Sequence, residues 1–221
     1  MTSHQRTDRE QHMHLRRQPG RVATAAVAVA VTAGALAASG TAHASPQKDT
    51  APRFLSAHQL PPHPYSPWYA GGVTQGLPEF PLFCLEGALP VQGTSYRQFG
   101  TEYDTGAIQV TVRAANTGAA RKLAAKVETS VRNCAADHLE QYPEATAQWR
   151  DYGGIDIEEG AHVYGIHTSH PDSGNDINLF GVGRDGRTVT VVKWSAMGTF
   201  DHAPVKEFRK TTRKAVAKLY R

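Results

Sequence analysis

Cysteine is almost absent from this chain. Two residues of 221, Cys84 and Cys134, carry all of its thiol chemistry, and their wide separation excludes the C-x-x-C spacing of a dithiol redox site. The usual catalytic signatures are missing as well. There is no H-E-x-x-H, which excludes a helical zinc-protease motif, and no G-x-S-x-G, which excludes a nucleophile elbow. Gly71, Gly72 and Gly76 match neither phosphate-cradling pattern, so nucleotide binding is not expected.

Charge of one sign is scarce once the N-terminus is considered. Residues Val22 to Ala38 read "VATAAVAVAVTAGALAA" without a charge, preceded by Arg16, Arg17 and Arg21 and followed by "TAHASP". A basic region, an apolar region and an A-x-A site make a secretory signal peptide over residues 1–44, with the mature chain beginning at Ser45. The alternative is an uncleaved span, which about 17 apolar residues only just reach. Arg16-Arg17 lacks the rest of a twin-arginine signal, so the general export route is the default. No cysteine follows the apolar run, which excludes a lipoprotein anchor. The whole chain has 24 Lys and Arg against 20 Asp and Glu. Removing five arginines and two carboxylates with the signal leaves 19 against 18. That balance gives no support for a nucleic-acid partner. Export favours a Cys84–Cys134 disulfide, whose loop-closure value is about 4 kcal/mol.

A polar segment over 45–53 is expected to be flexible, and the domain proper to run over 54–221. "FLSAHQLPPHPYSPWYAGG" predicts a short helical turn at Ser56 to Leu60 and then extended chain. "SYRQFGTEY", with Gly100 as a candidate bulge, and "AIQVTVRAA", with Ile108, Val110 and Val112 alternating, predict a hairpin closed at "DTG". From Asn116 or Thr117 a capped helix follows, with Leu123, Val127, Val131, Cys134 and His138 on one face and Lys122, Lys126, Glu128 and Arg132 facing away. Four strand-like segments come next, separated by Gly153-Gly154, "HPDSGN" and "RDGR". The chain closes on a helix with Asp201 near its start and an apolar seam of Val205, Phe208, Ala215, Val216 and Leu219. The order predicts an α+β domain, an antiparallel sheet with helices packed on it and one disulfide.

Certain residues in this layout resemble the extracellular sensor domain of PknH-type receptor kinases, a family also met as free secreted or lipid-anchored actinobacterial proteins. They run from "FLSAHQLPP" through "FC" at 83–84 and "AIQVTVRAANTGAARKLAAKVETSVRNCA" to Trp149, the strands up to Met197 and the last helix, about residues 54–220. No kinase domain is present, and the family's second disulfide has no counterpart after Cys134. The resemblance implies extracytoplasmic ligand sensing without established catalytic residues. Only the cystine positions, Cys84 and Cys134, carry over.

Several groups are candidates for chemistry. "HVYGIHTSHPD", residues 162–172, offers His162, His167, His170 and Asp172, and a secreted metal-dependent hydrolase using His167, His170 and Asp172 is the alternative reading. Against it, His162 and His167 fall on opposite faces of a strand, and His170 to Asp172 lies in a turn. Asp172, Asn175 and Asp176 lack calcium-loop spacing. Ser169, Ser173 or Ser195 beside a histidine would be an arbitrary nucleophile pair. Asp156 and Glu158 share a predicted strand face next to Glu159, a pattern equally ordinary before a glycine turn. The last helix carries Lys206, Lys210, Arg213 and Lys214, either as a solvated face or as a patch for an anionic envelope component. The expected function is that of a secreted, non-enzymatic binding or sensor domain for a small molecule or cell-envelope component. It needs no cofactor or metal and keeps no stable membrane anchor after cleavage. Tyr164, Phe180 and Trp194 are the aromatics expected nearest a binding face, with core packing as their other use. A protein-interaction or inhibitor module is a third reading.

Overall fold

The computed structural model describes residues 51–220. The expected signal peptide and most of the segment expected at 45–53 lie outside the described residues. The elements are β1 Tyr69–Gln75, β2 Thr94–Gly100, β3 Gly106–Arg113, α1 Thr117–Gln141, β4 Thr146–Ile155, β5 Ala161–His170, β6 Gly174–Asp185, β7 Thr188–Met197 and α2 Val205–Ala217. The strands form one antiparallel sheet in the order β1-β2-β3-β7-β6-β5-β4. Strands consecutive in the chain account for every pairing except β3 with β7, which closes the two halves of the chain into one sheet and puts β7 at its centre.

The α+β expectation holds, with one helix on each face. Alternation decides which residue meets which helix. Val110, Val191, Phe180 and Tyr164 pack with Val127, Val131 and Cys134 of α1. Val163, Leu179, Val192 and Trp194 pack on the other face with Phe208, Ala215 and Val216 of α2, sealed by Leu55 and Leu60. Asn116 caps α1, its side-chain oxygen accepting from Ala119 N at 2.8 Å. A disulfide joins Cys134 of α1 to Cys84, their Cα atoms 5.2 Å apart, and so ties the 77–89 segment to that helix.

Several local expectations need correction. The chain after the short turn at Ala57–Gln59 forms strand β1, not merely extended chain; it lies at the sheet edge with every residue exposed, so no apolar alternation marks it. Gly100 pairs regularly with Gly106, and the irregularity falls between Ala70 and Val73 of β1. Gly153-Gly154 is no turn: it lies inside β4, where the register slips between Asp151 and Gly154. The turn itself is 156–160, so Asp156 and Glu158 share no strand face. Glu128 and Arg132 do not face away. The Arg132 guanidinium donates to the Tyr164 hydroxyl at 2.7 Å, and that hydroxyl donates to Glu128 at 3.2 Å. Phe200–His202 is a separate helical turn, and α2 begins after Pro204, whose ring suits a helix start.

The contact of α2 with β6 depends on two glycines. A Cβ at Gly181 would stand 2.9 Å from Thr212 Cβ, and one at Gly183 would stand 2.8 Å from Ala161 Cβ, with Val216 closer still. Thr212 and Val216, one helical turn apart, thus rest on bare backbone two strand positions apart. Gly181→Ala is expected to lower stability by about 1–3 kcal/mol through overpacking, read from denaturant midpoints. Gly72→Ala on the open edge, where a Cβ meets nothing within 4 Å, should stay within about 0.5 kcal/mol of the parent.

Candidate functional site: a polar hollow at the centre of the sheet

On the α1 side, strand register sets side chains abreast. One row holds Gln98, Ile108, Lys193, Phe180 and Tyr164. The next holds Gly100, Gly106, Ser195, Asn178 and Ile166. Two adjacent glycines leave that second row without side chains over β2 and β3. The result is a hollow of about 430 Å³ lined by Leu82, Gln98, Gly100, Gly106, Ile108, Lys193 and Ser195. Leu82 comes from the segment that the disulfide ties to α1, so the cystine places one wall.

The floor is unusually polar for the middle of a sheet. Lys193 sits on the central strand, partly buried, with its side chain in the lining of the hollow. Burial lowers its ammonium pKa to about 8, an effect that the carboxylate of Asp176 partly opposes. The side chains of Lys193, Asn178, Ser195 and Gln98 make no hydrogen bond or ion pair among the described residues, although Asn178 is only 5% exposed. Buried polar groups are normally paired. Lys193 and Ser195 are only partly buried and Gln98 is exposed, so the three that line the hollow stay in reach of solvent through it, whereas Asn178 lies outside the lining.

The next row, Thr168, Asp176 and Met197, leads toward a second hollow of about 390 Å³. His138, Tyr142, Thr168, His170, Asp172, Ser173 and Asp176 line it. His138 is held below the ordinary histidine range by burial and by the charge of His170. His170 is paired with Glu144, Nε2 to Oε1 at 2.8 Å.

The histidines of residues 162–172 do not converge. His162 meets Asp151 at 2.5 Å and stacks on Tyr164 on the α1 side. His167 lies on the α2 side against Phe200, its Nε2 3.1 Å from Asn175 Oδ1. His167 and His170 therefore stand on opposite faces, and Asp172 is in the turn on the His170 side. Among the described residues no three His, Cys, Asp or Glu side chains are arranged to hold a metal ion.

The three aromatics are divided between the faces. Tyr164 and Phe180 are wholly buried on the α1 side, and Trp194 lies in the α2-side core. Burial, reinforced by the charge of Glu128 and opposed by Arg132, pushes the Tyr164 phenol up to about 12.

Lys206, Lys210 and Arg213, at helical spacings of four and three, line a groove of about 520 Å³ with Arg209, Ile155 and Val205. Lys214 is exposed on α2 outside it. Arg209 donates to the carbonyls of Tyr152, Gly153 and Gly154 at 2.5 to 3.0 Å, and Arg213 to that of Asp156 at 2.7 Å. Both guanidiniums brace the β4–β5 turn. Lys206 and Lys210 carry the less constrained charge, with only a 3.9 Å approach of Lys210 to Glu207.

Sequence reasoning missed Lys193. The signal was present: in "TVTVVKW" the lysine continues the alternation of Val189 and Val191, a core-facing position.

No family model matches the chain, and no curated protein matches it. Among solved structures it is similar to the extracellular domain of PknH from Mycobacterium tuberculosis, at 12% identity over 67% of this chain and 84% of that one, with a TM-score of 0.42. That is a distant, fold-level resemblance.

Removing the buried charge should stabilise the domain. The folded pKa of Lys193 lies below its unfolded value of 10.5. The cost of the ammonium is therefore full below about pH 8 and vanishes as pH rises toward 10.5. Lys193→Met is expected to gain about 1–2 kcal/mol at pH 7 after allowance for solvent reaching the amine through the hollow. The gap between variant and parent in denaturant unfolding should narrow from pH 8 to pH 10. An unchanged gap would show that the amine is not desolvated.

Proposed function

We propose that this protein is a secreted, non-enzymatic binding domain of the sensor type, and that its ligand is a small molecule held in the hollow over Lys193. The observation that carries this reading is the set of polar side chains, Lys193, Ser195 and Gln98, that line one concavity at the middle of the sheet and make no hydrogen bond or ion pair among the described residues. Leaving such groups without partners costs about 1–3 kcal/mol each when they are dehydrated. A ligand that supplies the partners recovers that cost, which is how a site acquires orientation and specificity. The chemistry fits holding rather than turnover: one amine, one amide and a hydroxyl orient a guest. The Cys84–Cys134 disulfide agrees with an oxidising compartment outside the cytoplasm. The signal peptide read from the sequence supports the same location.

The hollow can be closed without disturbing the core, because a Cβ at Gly100 meets nothing within 4 Å. In a thermal-shift screen of small metabolites and envelope fragments, compounds that raise the melting temperature of the parent are expected to lose that effect on Gly100→Leu. Hits that stabilise both proteins equally would place the ligand elsewhere.

A second reading concerns the groove along α2, where Lys206 and Lys210 flank the apolar Ile155 and Val205. We infer attraction to an anionic envelope component, a role compatible with ligand binding on the opposite face. Co-sedimentation with phosphatidylglycerol vesicles should fall several-fold between about 0.05 and 0.5 M salt, as screening requires. It should also fall for Lys206→Gln/Lys210→Gln. Salt-independent sedimentation, or a double variant that binds like the parent, would remove this reading.

A further inference from the structure

The hollow also constrains what its occupant must be, an inference that rests on the proposed binding role and adds a chemical class to it. We propose that the ligand is a small organic acid bearing a single carboxylate, which pairs with the Lys193 ammonium while its apolar body lies against Leu82 and Ile108.

Four features of the site lead there. The first is the single cation. Lys193 is the one cationic residue in the lining, it stands on the central strand, and no carboxylate lies within ion-pair distance of it among the described residues. An ammonium partly withdrawn from water and without an ion-pair partner is an unfavourable resident that an incoming anion relieves. Second, the donors beside it match a carboxylate. Ser195 lines the hollow from the next row, and Gln98 stands in the row of Lys193 two strands away, across Ile108. Charge-assisted hydrogen bonds from such groups to a carboxylate are stronger than neutral ones. Third, the walls are of mixed character. Leu82 and Ile108 face the same space as Lys193 and Gln98, so the guest must be apolar on one side and anionic on the other. Fourth, Asp176 sets the charge. Its carboxylate acts on Lys193 from β6. One ammonium neutralises one negative charge, and a second charge on the ligand would have no other cation in the lining to meet it. Phosphate and sulfate dianions are therefore disfavoured, and their strong hydration opposes entry as well.

The test uses the full chain and simple probes. NMR titration at pH 7 with benzoate and hexanoate is expected to move the Lys193 ε-methylene, Ser195 and Gln98 signals with millimolar or tighter affinity. Benzamide and hexanamide, equal in shape but neutral, should bind at least tenfold more weakly. Lys193→Met should lose at least tenfold for the acids and keep its weak affinity for the amides. Since this variant is expected to be more stable than the parent, loss of binding would not reflect unfolding. Amides that bind as well as acids, or acids that bind Lys193→Met as well as the parent, would overturn the acid assignment and leave a hollow for neutral guests. Phosphate or sulfate shifting the same signals more strongly than benzoate would overturn the single-charge argument. Shifts confined to residues outside the hollow would overturn both this inference and the binding role beneath it.

Discussion

The pairing of β3 with β7 is the contact on which the rest of the molecule depends. Every other strand pair joins strands consecutive in the chain, whereas this one joins residues about eighty positions apart. Its register sets Gly106 opposite Ser195 and Ile108 opposite Lys193. A slip of one residue would turn Lys193 toward the α2-side core and Trp194 toward the hollow. The same ladder that completes the sheet therefore decides that a lysine and two glycines share a neighbourhood. It also makes β7 the central strand, which places Lys193 amid the sheet, where partial burial lowers its ammonium pKa.

Around that ladder the two helices impose different constraints. α2 is seated by the absence of side chains at Gly181 and Gly183, a close approach that requires bare backbone. α1 is seated by apolar packing and by polar anchors, the Arg132–Tyr164–Glu128 contacts and the cystine at Cys134. The disulfide reaches beyond chain entropy, because it holds the segment bearing Leu82 where that residue walls the hollow. Stability and site geometry are thus coupled through one covalent link.

Local patterns made much of this architecture legible. Ile108, Val110 and Val112 alternate, Val127 and Val131 recur at helical spacing, and Asp185-Gly186 marks a hairpin, so β3, α1 and the β6–β7 connection could be placed from sequence alone. β1 escaped because an exposed edge strand has no buried face to generate a pattern. Gly153-Gly154 misled because glycine permits a bulge as readily as a turn, and only the pairing partner distinguishes them. Glu128 and Arg132 were assigned to solvent by helical angle, yet both side chains are long enough to reach back to a buried phenol. Asp172 and the histidines are close in sequence, but the pleat sends His167 and His170 to opposite faces.

The sequence by itself determined the class of fold, the two helices, most of the strands and the single possible disulfide, since each follows from short-range periodicity, capping or elimination. Only the tertiary structure decided which polar residues gather around the hollow. Gln98 comes from β2 and Lys193 and Ser195 from β7, with Gly106 and Ile108 of β3 between them, and their meeting depends on long-range register, a quantity that no local window of sequence contains.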